Sequence, residues 1–373
     1  MKKILLSAGL LLATSASIFA QEYKFKDVVD IEATEVKSQG RTGTCWSFST
    51  SSFLESEIFR LTGKKVDISE MYTVRNTYPQ KAHNYVMRQG KAQFSEGGLA
   101  HDVLNSVEAN GLVPQEEFSG LFGQEKTYNH AEMIAVLRAM VKTYADNPGK
   151  KLSPKWRDAI NKVLDVYIGE IPEKFTYEGK EYTPESFRDA MKIDADNYVT
   201  LTTFTHQPYY ESFILNIPDN FSNGSMYNLP LDEFVNEINH ALENGYSIAL
   251  DCDVSEKTFS AKHGVATLPH DIGDNEKSMT EIVAELNVTP ENRQVEFENF
   301  NTTDDHLMHI TGMVKDQKGN VYYKVKNSWG GDSQRVGNGG YIYMSAPYLK
   351  MKTISVLLHK DGMTKKMKKK LEI

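Results

Sequence analysis

Apolar residues recur along this chain at two different periods. From Cys45 onward, Phe53, Leu54, Ile58 and Leu61 fall at helical spacing, with Ser49, Ser52 and Ser56 along a narrow polar stripe and Gly63 closing the run. Asp67-Ile68-Ser69-Glu70 predicts a further short helical segment. Leu99, Val103, Leu104 and Val107 predict a helix ended by Asn110-Gly111. His130 to Ala145 has the same period through Met133, Ile134, Leu137, Met140 and Val141. Ser153-Pro154 and Thr183-Pro184 pair an N-cap hydroxyl with proline at the first helical position, the former opening a helix through Ile160, Leu164 and Ile168. Leu231 to Leu242 predicts another amphipathic helix. Elsewhere the chain reads as strands: Tyr198 to Thr205, rich in β-branched residues, Tyr246 to Val254 and Tyr341 to Met344. His306 to Val314 and Val321 to Asn327 predict a hairpin around Lys315 to Asn320, with Lys324 and Lys326 alternating with Val321, Tyr323 and Val325. Asp271 to Thr303 is polar and acidic and predicts a long irregular excursion.

Composition narrows the picture. The chain is 40% hydrophobic and 25% charged over 373 residues, enough for a real core. A net charge of −8 argues against a nucleic-acid partner. The basic cluster Lys365, Lys366, Lys368, Lys369 and Lys370 predicts a solvated helix end or frayed terminus. Residues 1–20 have the form of a signal peptide: Lys2 and Lys3, an apolar Ile4 to Leu12, and small residues from Ser15 to Ala20. The expected protein is therefore exported, periplasmic or secreted, with no stable membrane anchor. The two cysteines, Cys45 and Cys252, provide no disulfide framework. Apolar flanks make Cys252 a packed thiol. His101, His130 and His206 are isolated, and no metal-ligand spacing occurs between 119 and 230.

The chemistry converges from distant parts of the chain. A thiol nucleophile needs a base, a group to orient that base, and donors for a tetrahedral oxyanion. Cys45 stands where a glycine-broken polar loop enters a helix, a position that favours thiolate. His306 begins a strand after Asp304-Asp305. Asn327 ends the partner strand and has an amide oxygen to hold the imidazole. Gln39, six residues before Cys45, has an amide N–H₂ for the oxyanion. Gly97-Gly98 is either a tight turn or a bare backbone on which an extended ligand pairs.

These segments together resemble the papain superfamily of cysteine peptidases: Gln39-Gly40 through Cys45-Trp46-Ser47-Phe48, the Gly97-Gly98 turn, a His-led strand, and Lys326-Asn327-Ser328-Trp329-Gly330. The resemblance implies a two-lobed α+β fold, with a helical lobe, a β-rich lobe and the cleft between them. It implies Cys45 as nucleophile, His306 as base, Asn327 as orienting amide and Gln39 as oxyanion donor. Trp329 would shield the His–Asn pair, and Gly97 and Gly98 would pair with the substrate backbone. It implies a peptide or protein substrate and neither metal nor cofactor. His309 is a rival base on the same strand with reversed alternation.

Two departures point to one branch. Thr42 and Ser95 stand where secreted members usually carry a disulfide. Cys45 and His306 are 261 positions apart, against about 130–150 in papain and cathepsins. The excess matches an inserted segment at about 119–230, between a helical lobe at about 39–118 and a β-rich lobe at about 231–373. With Cys252-Asp253-Val254, these features resemble the bleomycin hydrolase and aminopeptidase C branch. That branch implies aminopeptidase action and leaves homo-oligomerisation open. Its C-terminal arm enters the cleft, whereas Lys368-Lys369-Lys370-Leu371-Glu372-Ile373 follows soon after the last predicted strand, so an open-cleft endopeptidase is the alternative. A peptidyl transferase and a non-catalytic peptide-binding scaffold are two more.

Overall fold

The computed structural model describes residues 22–373, so the signal-like stretch 1–20 lies outside the described residues. Helices occupy the first half: α1 (Cys45–Thr62), α2 (Glu70–Met87), α3 (Ala100–Asn110), α4 (Ala131–Asp146), α5 (Trp156–Tyr167) and α6 (Pro184–Ala190). Before them lies β1 (Lys26–Asp30), and a small hairpin of β2 (Phe175–Tyr177) and β3 (Lys180–Tyr182) precedes α6. The chain then enters one large sheet through β4 (Tyr198–Thr202), β5 (Ser212–Ile214) and β6 (Ser225–Asn228). After α7 (Leu231–Glu243) come β7 (Ile248–Cys252), β8 (Phe259–Ser260) and β9 (Val265–Ala266), then α8 (Asn275–Ser278) and α9 (Pro290–Glu298). The remainder is β10 (His306–Lys315), β11 (Val321–Lys326), β12 (Tyr341–Ser345), α10 (Ala346–Lys352), β13 (Thr353–His359) and α11 (Lys365–Leu371). Strand order in the sheet is β5-β6-β4-β13-β7-β10-β11-β12-β9-β8, with β1 on β10.

Strand alternation divides the interior in two. Ala249, Leu307 and Leu357 face the helices and join a core with Trp46, Phe53, Val103 and Leu137. Their neighbours Ile248, Leu250, Met308, Val356 and Leu358 face the other way, where α7, α10 and α11 supply Phe234, Ile238, Leu349, Met367 and Leu371. The sheet is thus buried on both sides, which explains why β13 is buried throughout.

The pattern of elements departs from expectation at a few points. The segment after Asp67 is a full 18-residue helix capped by Ser69, not a short one. Ser153-Pro154 forms only a turn, and α5 starts at Trp156. The acidic stretch 271–303 contains α9, opened by a Thr289–Asn292 capping box. The basic tail is α11, which buries Met367 and Leu371 and docks on α7 through Lys370–Glu233 at 2.9 Å.

Candidate active site

Cys45 is the first residue of α1, where the leading N–H groups have no carbonyl a turn earlier to bond. Ser47 and Phe48 donate to the Thr44 carbonyl at 3.0 and 3.2 Å, which leaves the Cys45 N–H directed out of the helix start. α1 packs under β10, and the backbone N–H of Leu307 faces the Cys45 sulfur. Burial pushes the thiol up to about 12, and the carboxylates of Asp304, Asp219 and Asp251 push the same way.

His306 leads β10 directly opposite Cys252 on β7. Its Nε2 lies 2.8 Å from Asn327 Oδ1. That oxygen also accepts from the Ser328 backbone N–H at 2.7 Å, and because a backbone amide only donates, the amide orientation is settled. Nε2 must then carry the imidazole proton, which leaves the Nδ1 lone pair free as a base. Trp329 covers the ring at 4.9 Å between centroids and is itself backed by Phe259 at 5.9 Å. Burial lowers the His306 pKa, partly offset by the Asn327 hydrogen bond and by Asp305. Among the described residues no hydrogen bond joins the thiol to this imidazole.

Gln39 sits on the same support. Ser328 Oγ donates to its Oε1 at 2.6 Å, so the amide nitrogen faces the other way, and one Nε2 hydrogen is donated to Thr42 O at 2.8 Å. The Gln39 N–H donates to Ser328 O, and the Gly330 N–H to Lys37 O, a two-rung bridge between the lobes. Ser328, given no role in the sequence reading although it lies in the Asn-Ser-Trp motif, therefore touches Asn327 and Gln39 at once.

The expected turn at Gly97-Gly98 is displaced: the chain bends at Ser95-Glu96, and the two glycines follow as irregular chain leading to α3, held by Trp46 Nε1, which donates to Glu96 O at 2.8 Å. Both need glycine for close approach. A Cβ on Gly98 would crowd the Trp46 indole, and one on Gly97 would collide with the Asp219 carboxylate. Thr42 and Ser95 are hydrogen-bonded, Thr42 Oγ1 to Gln39 O at 2.9 Å and Ser95 Oγ to Asp219 at 3.2 Å. Both cysteines are free. Cys252 packs into the core on the far side of the sheet.

The rival His309 points away from the cleft, fully buried with Nδ1 2.9 Å from Ser52 Oγ. Beneath it the carboxylates of Glu55, Asp67 and Glu70 converge as cation ligands would. Lys37 Nζ fills that place, pairing with Glu70 at 2.6 Å, Glu55 at 3.3 Å and also Asp67. His130 lies 3.5 Å from Glu96, His101 3.0 Å from Ser222 Oγ, and His206 3.1 Å from Gln294.

Comparison with known proteins places the chain as a whole. Residues 4–373 match the model of the Peptidase C1-like family. Aminopeptidase C of Listeria monocytogenes is 23% identical over 384 residues, 91% of this chain and 83% of that one. Aminopeptidase E of Lactobacillus helveticus is 23% identical over 383 residues, 92% and 85% respectively. The crystal structure of PepW from Lactobacillus rhamnosis superposes with a TM-score of 0.72 at 18% identity, covering 93% of this chain and 84% of that one, and so shares the two-lobed papain-like fold. With the family model spanning nearly every residue, this chain belongs to the Peptidase C1-like family.

Proposed function

We propose that this protein is a cysteine aminopeptidase that releases residues from the free amino end of peptides through a thioester on Cys45. The observation that carries the catalytic part is the anchored imidazole. Asn327 Oδ1 accepts the Nε2–H hydrogen bond and keeps that proton on Nε2, so Nδ1 receives the thiol proton. Cys45 Sγ then attacks the scissile carbonyl carbon. The oxyanion is met by the Cys45 N–H and by the second Nε2 hydrogen of Gln39. His306 returns its proton to the leaving amine as the C–N bond breaks. Water, deprotonated at Nδ1, hydrolyses the thioester, and the proton goes back to sulfur.

Burial disfavours charge on Cys45 and His306 taken singly. Proton transfer between them creates both charges together, and their mutual attraction offsets much of that cost. Catalytic hydrogen bonds that are loose in an empty site commonly tighten around substrate. The aminopeptidase part rests on the names of the relatives, which match this chain along most of its length.

Cys45→Ala is expected to abolish hydrolysis of aminoacyl reporters, and Cys45 in the native protein to be labelled by a thiol-directed epoxide. Free-amine reporters are expected to be cleaved faster than their N-acetylated counterparts. Full activity of Cys45→Ala would overturn the catalytic assignment, and equal cleavage of blocked substrates the aminopeptidase one. We also propose export directed by residues 1–20, which N-terminal sequencing of protein recovered outside the cytoplasm tests.

A further inference from the structure

A loop of the 119–230 segment crosses the cleft beside Gly97. It lies between β5 and β6, and its shape is set by Asn220, which is 7% exposed. The Asn220 side chain donates to Leu215 O and Gly224 O, both at 3.0 Å, and accepts from the Gly224 N–H at 2.8 Å. On the helical side the loop is fastened by His101 on Ser222, by Arg88 on Asn223 at 3.1 Å, and by Phe221 under the Lys81 ammonium at 5.0 Å. At its tip, one Asp219 oxygen accepts from Gln93 Nε2 at 2.7 Å and from Ser95 Oγ at 3.2 Å. On the sheet side the Asp219 backbone N–H faces the carboxylate of Asp304, two residues before His306. One short loop therefore touches both walls of the cleft.

The other Asp219 oxygen lies against Gly97, on the backbone where a residue preceding the scissile bond would run. Behind it, Asp251 is 2% exposed, and its Oδ1 receives no hydrogen bond from a donor group among the described residues. It stands on the same sheet face as Leu307, whose N–H faces Cys45. The Asp251 and Asp304 carboxyls face one another, both shifted upward by burial, the arrangement in which two carboxyls share a proton. Lys81, also buried, donates to Gly97 O and adds one positive charge. Burial raises the Asp219 carboxyl, offset by Lys81, Ser95 and Gln93, and burial lowers the Lys81 ammonium, which Asp102 and Glu96 also face; carboxyls therefore outnumber ammonium groups in this corner.

Resting on the aminopeptidase reading, we infer that Asp219 receives the ammonium of the substrate's first residue, and that its loop closes the cleft to chains extending further in that direction. Exposed enough to meet a ligand yet held by Gln93 and Ser95, the carboxylate is a preorganised acceptor for one cation. An N-blocked substrate would meet it with a neutral acyl group and leave the carboxylate desolvated and unpaired, which is how a polar site rejects the wrong ligand.

The test compares kcat/KM for a free-amine aminoacyl reporter and its N-acetyl counterpart in the full-length native protein, Asp219→Asn and Gln93→Ala. Rates of Cys45 alkylation by iodoacetamide report whether the site is intact. Native protein is expected to prefer the free amine. Asp219→Asn is expected to lose roughly 10- to 100-fold on the free-amine substrate, mostly in KM, with little loss on the blocked one. Gln93→Ala, at an exposed position, is expected to reduce the preference by a smaller factor. An unchanged preference in both variants, with normal alkylation, overturns the role of Asp219 while leaving the aminopeptidase reading in place. Absence of any preference in the native protein overturns that reading instead.

Discussion

Ser328 touches two functional groups through different atoms. Its backbone N–H orients the Asn327 amide, and its hydroxyl orients that of Gln39. Substitution by alanine keeps the first bond and removes the second. The Gln39 amide then lacks the donor that tells its oxygen from its nitrogen. We expect Ser328→Ala to lower kcat roughly tenfold with KM nearly constant, since an oxyanion donor acts in the transition state. Steady-state kinetics on a free-amine reporter checks this, and a matching rise in KM would mean that Ser328 supports substrate binding instead. Asn327 is different. Its oxygen accepts the Nε2–H hydrogen bond, so Asn327→Ala frees the ring to turn. A loss on the order of a hundredfold in kcat is expected, by analogy with other groups that hold a catalytic imidazole.

At the scale of elements, α9 shows what buried charge does for the fold. Arg293 on its first turns is 1% exposed. It donates to Thr203 O at 2.9 Å, Lys350 O at 3.0 Å, Met351 O at 2.8 Å and Thr353 O, closing the carbonyl end of α10 and joining it to β13 and the end of β4. Arg293→Met keeps much of the volume but leaves these carbonyls without a donor. Destabilisation of roughly 3–5 kcal/mol is expected, measurable as a lower urea midpoint. This element also marks a limit of sequence reading. Thr289-Pro290 is the same start signal as Thr183-Pro184, yet the acidic composition around it reads as irregular chain. β13 is missed for a related reason: Thr353–His359 lies between lysine-rich stretches and includes Thr353, Ser355 and His359, so its burial at every position is intelligible only once both sheet faces are known to be covered. Cys45-Trp46 and Asn327-Ser328-Trp329 are legible because their chemistry is concentrated in consecutive residues. Asp219 is not. It is one acidic residue in a turn, and its partner Gln93 lies 126 positions away.

Across the whole molecule, the two lobes and the inserted loop meet at a cluster of carboxyls, and that makes stability depend on pH. Burial, followed by the neighbouring Asp219 charge, raises the Asp304 carboxyl from its ordinary 3.8 to about 7. Between those values the folded protein holds a proton that the unfolded chain releases. Stability from this group is therefore greatest below about pH 4 and is lost as pH rises through 7. His306 and His309, lowered by burial, act with the opposite sign near pH 6.5. Lys326, lowered to about 8, acts only at higher pH and also with the opposite sign. The native profile mixes these contributions, so the informative quantity is the difference between native protein and Asp304→Asn. Asparagine keeps an oxygen for the Asp219 N–H and removes the titration. The melting temperature of Asp304→Asn relative to native protein is expected to be higher at pH 8 than at pH 5 by roughly 1–3 °C. An equal difference at both pH values would mean that Asp304 is ionised throughout, and that the carboxyls where the lobes meet share no proton.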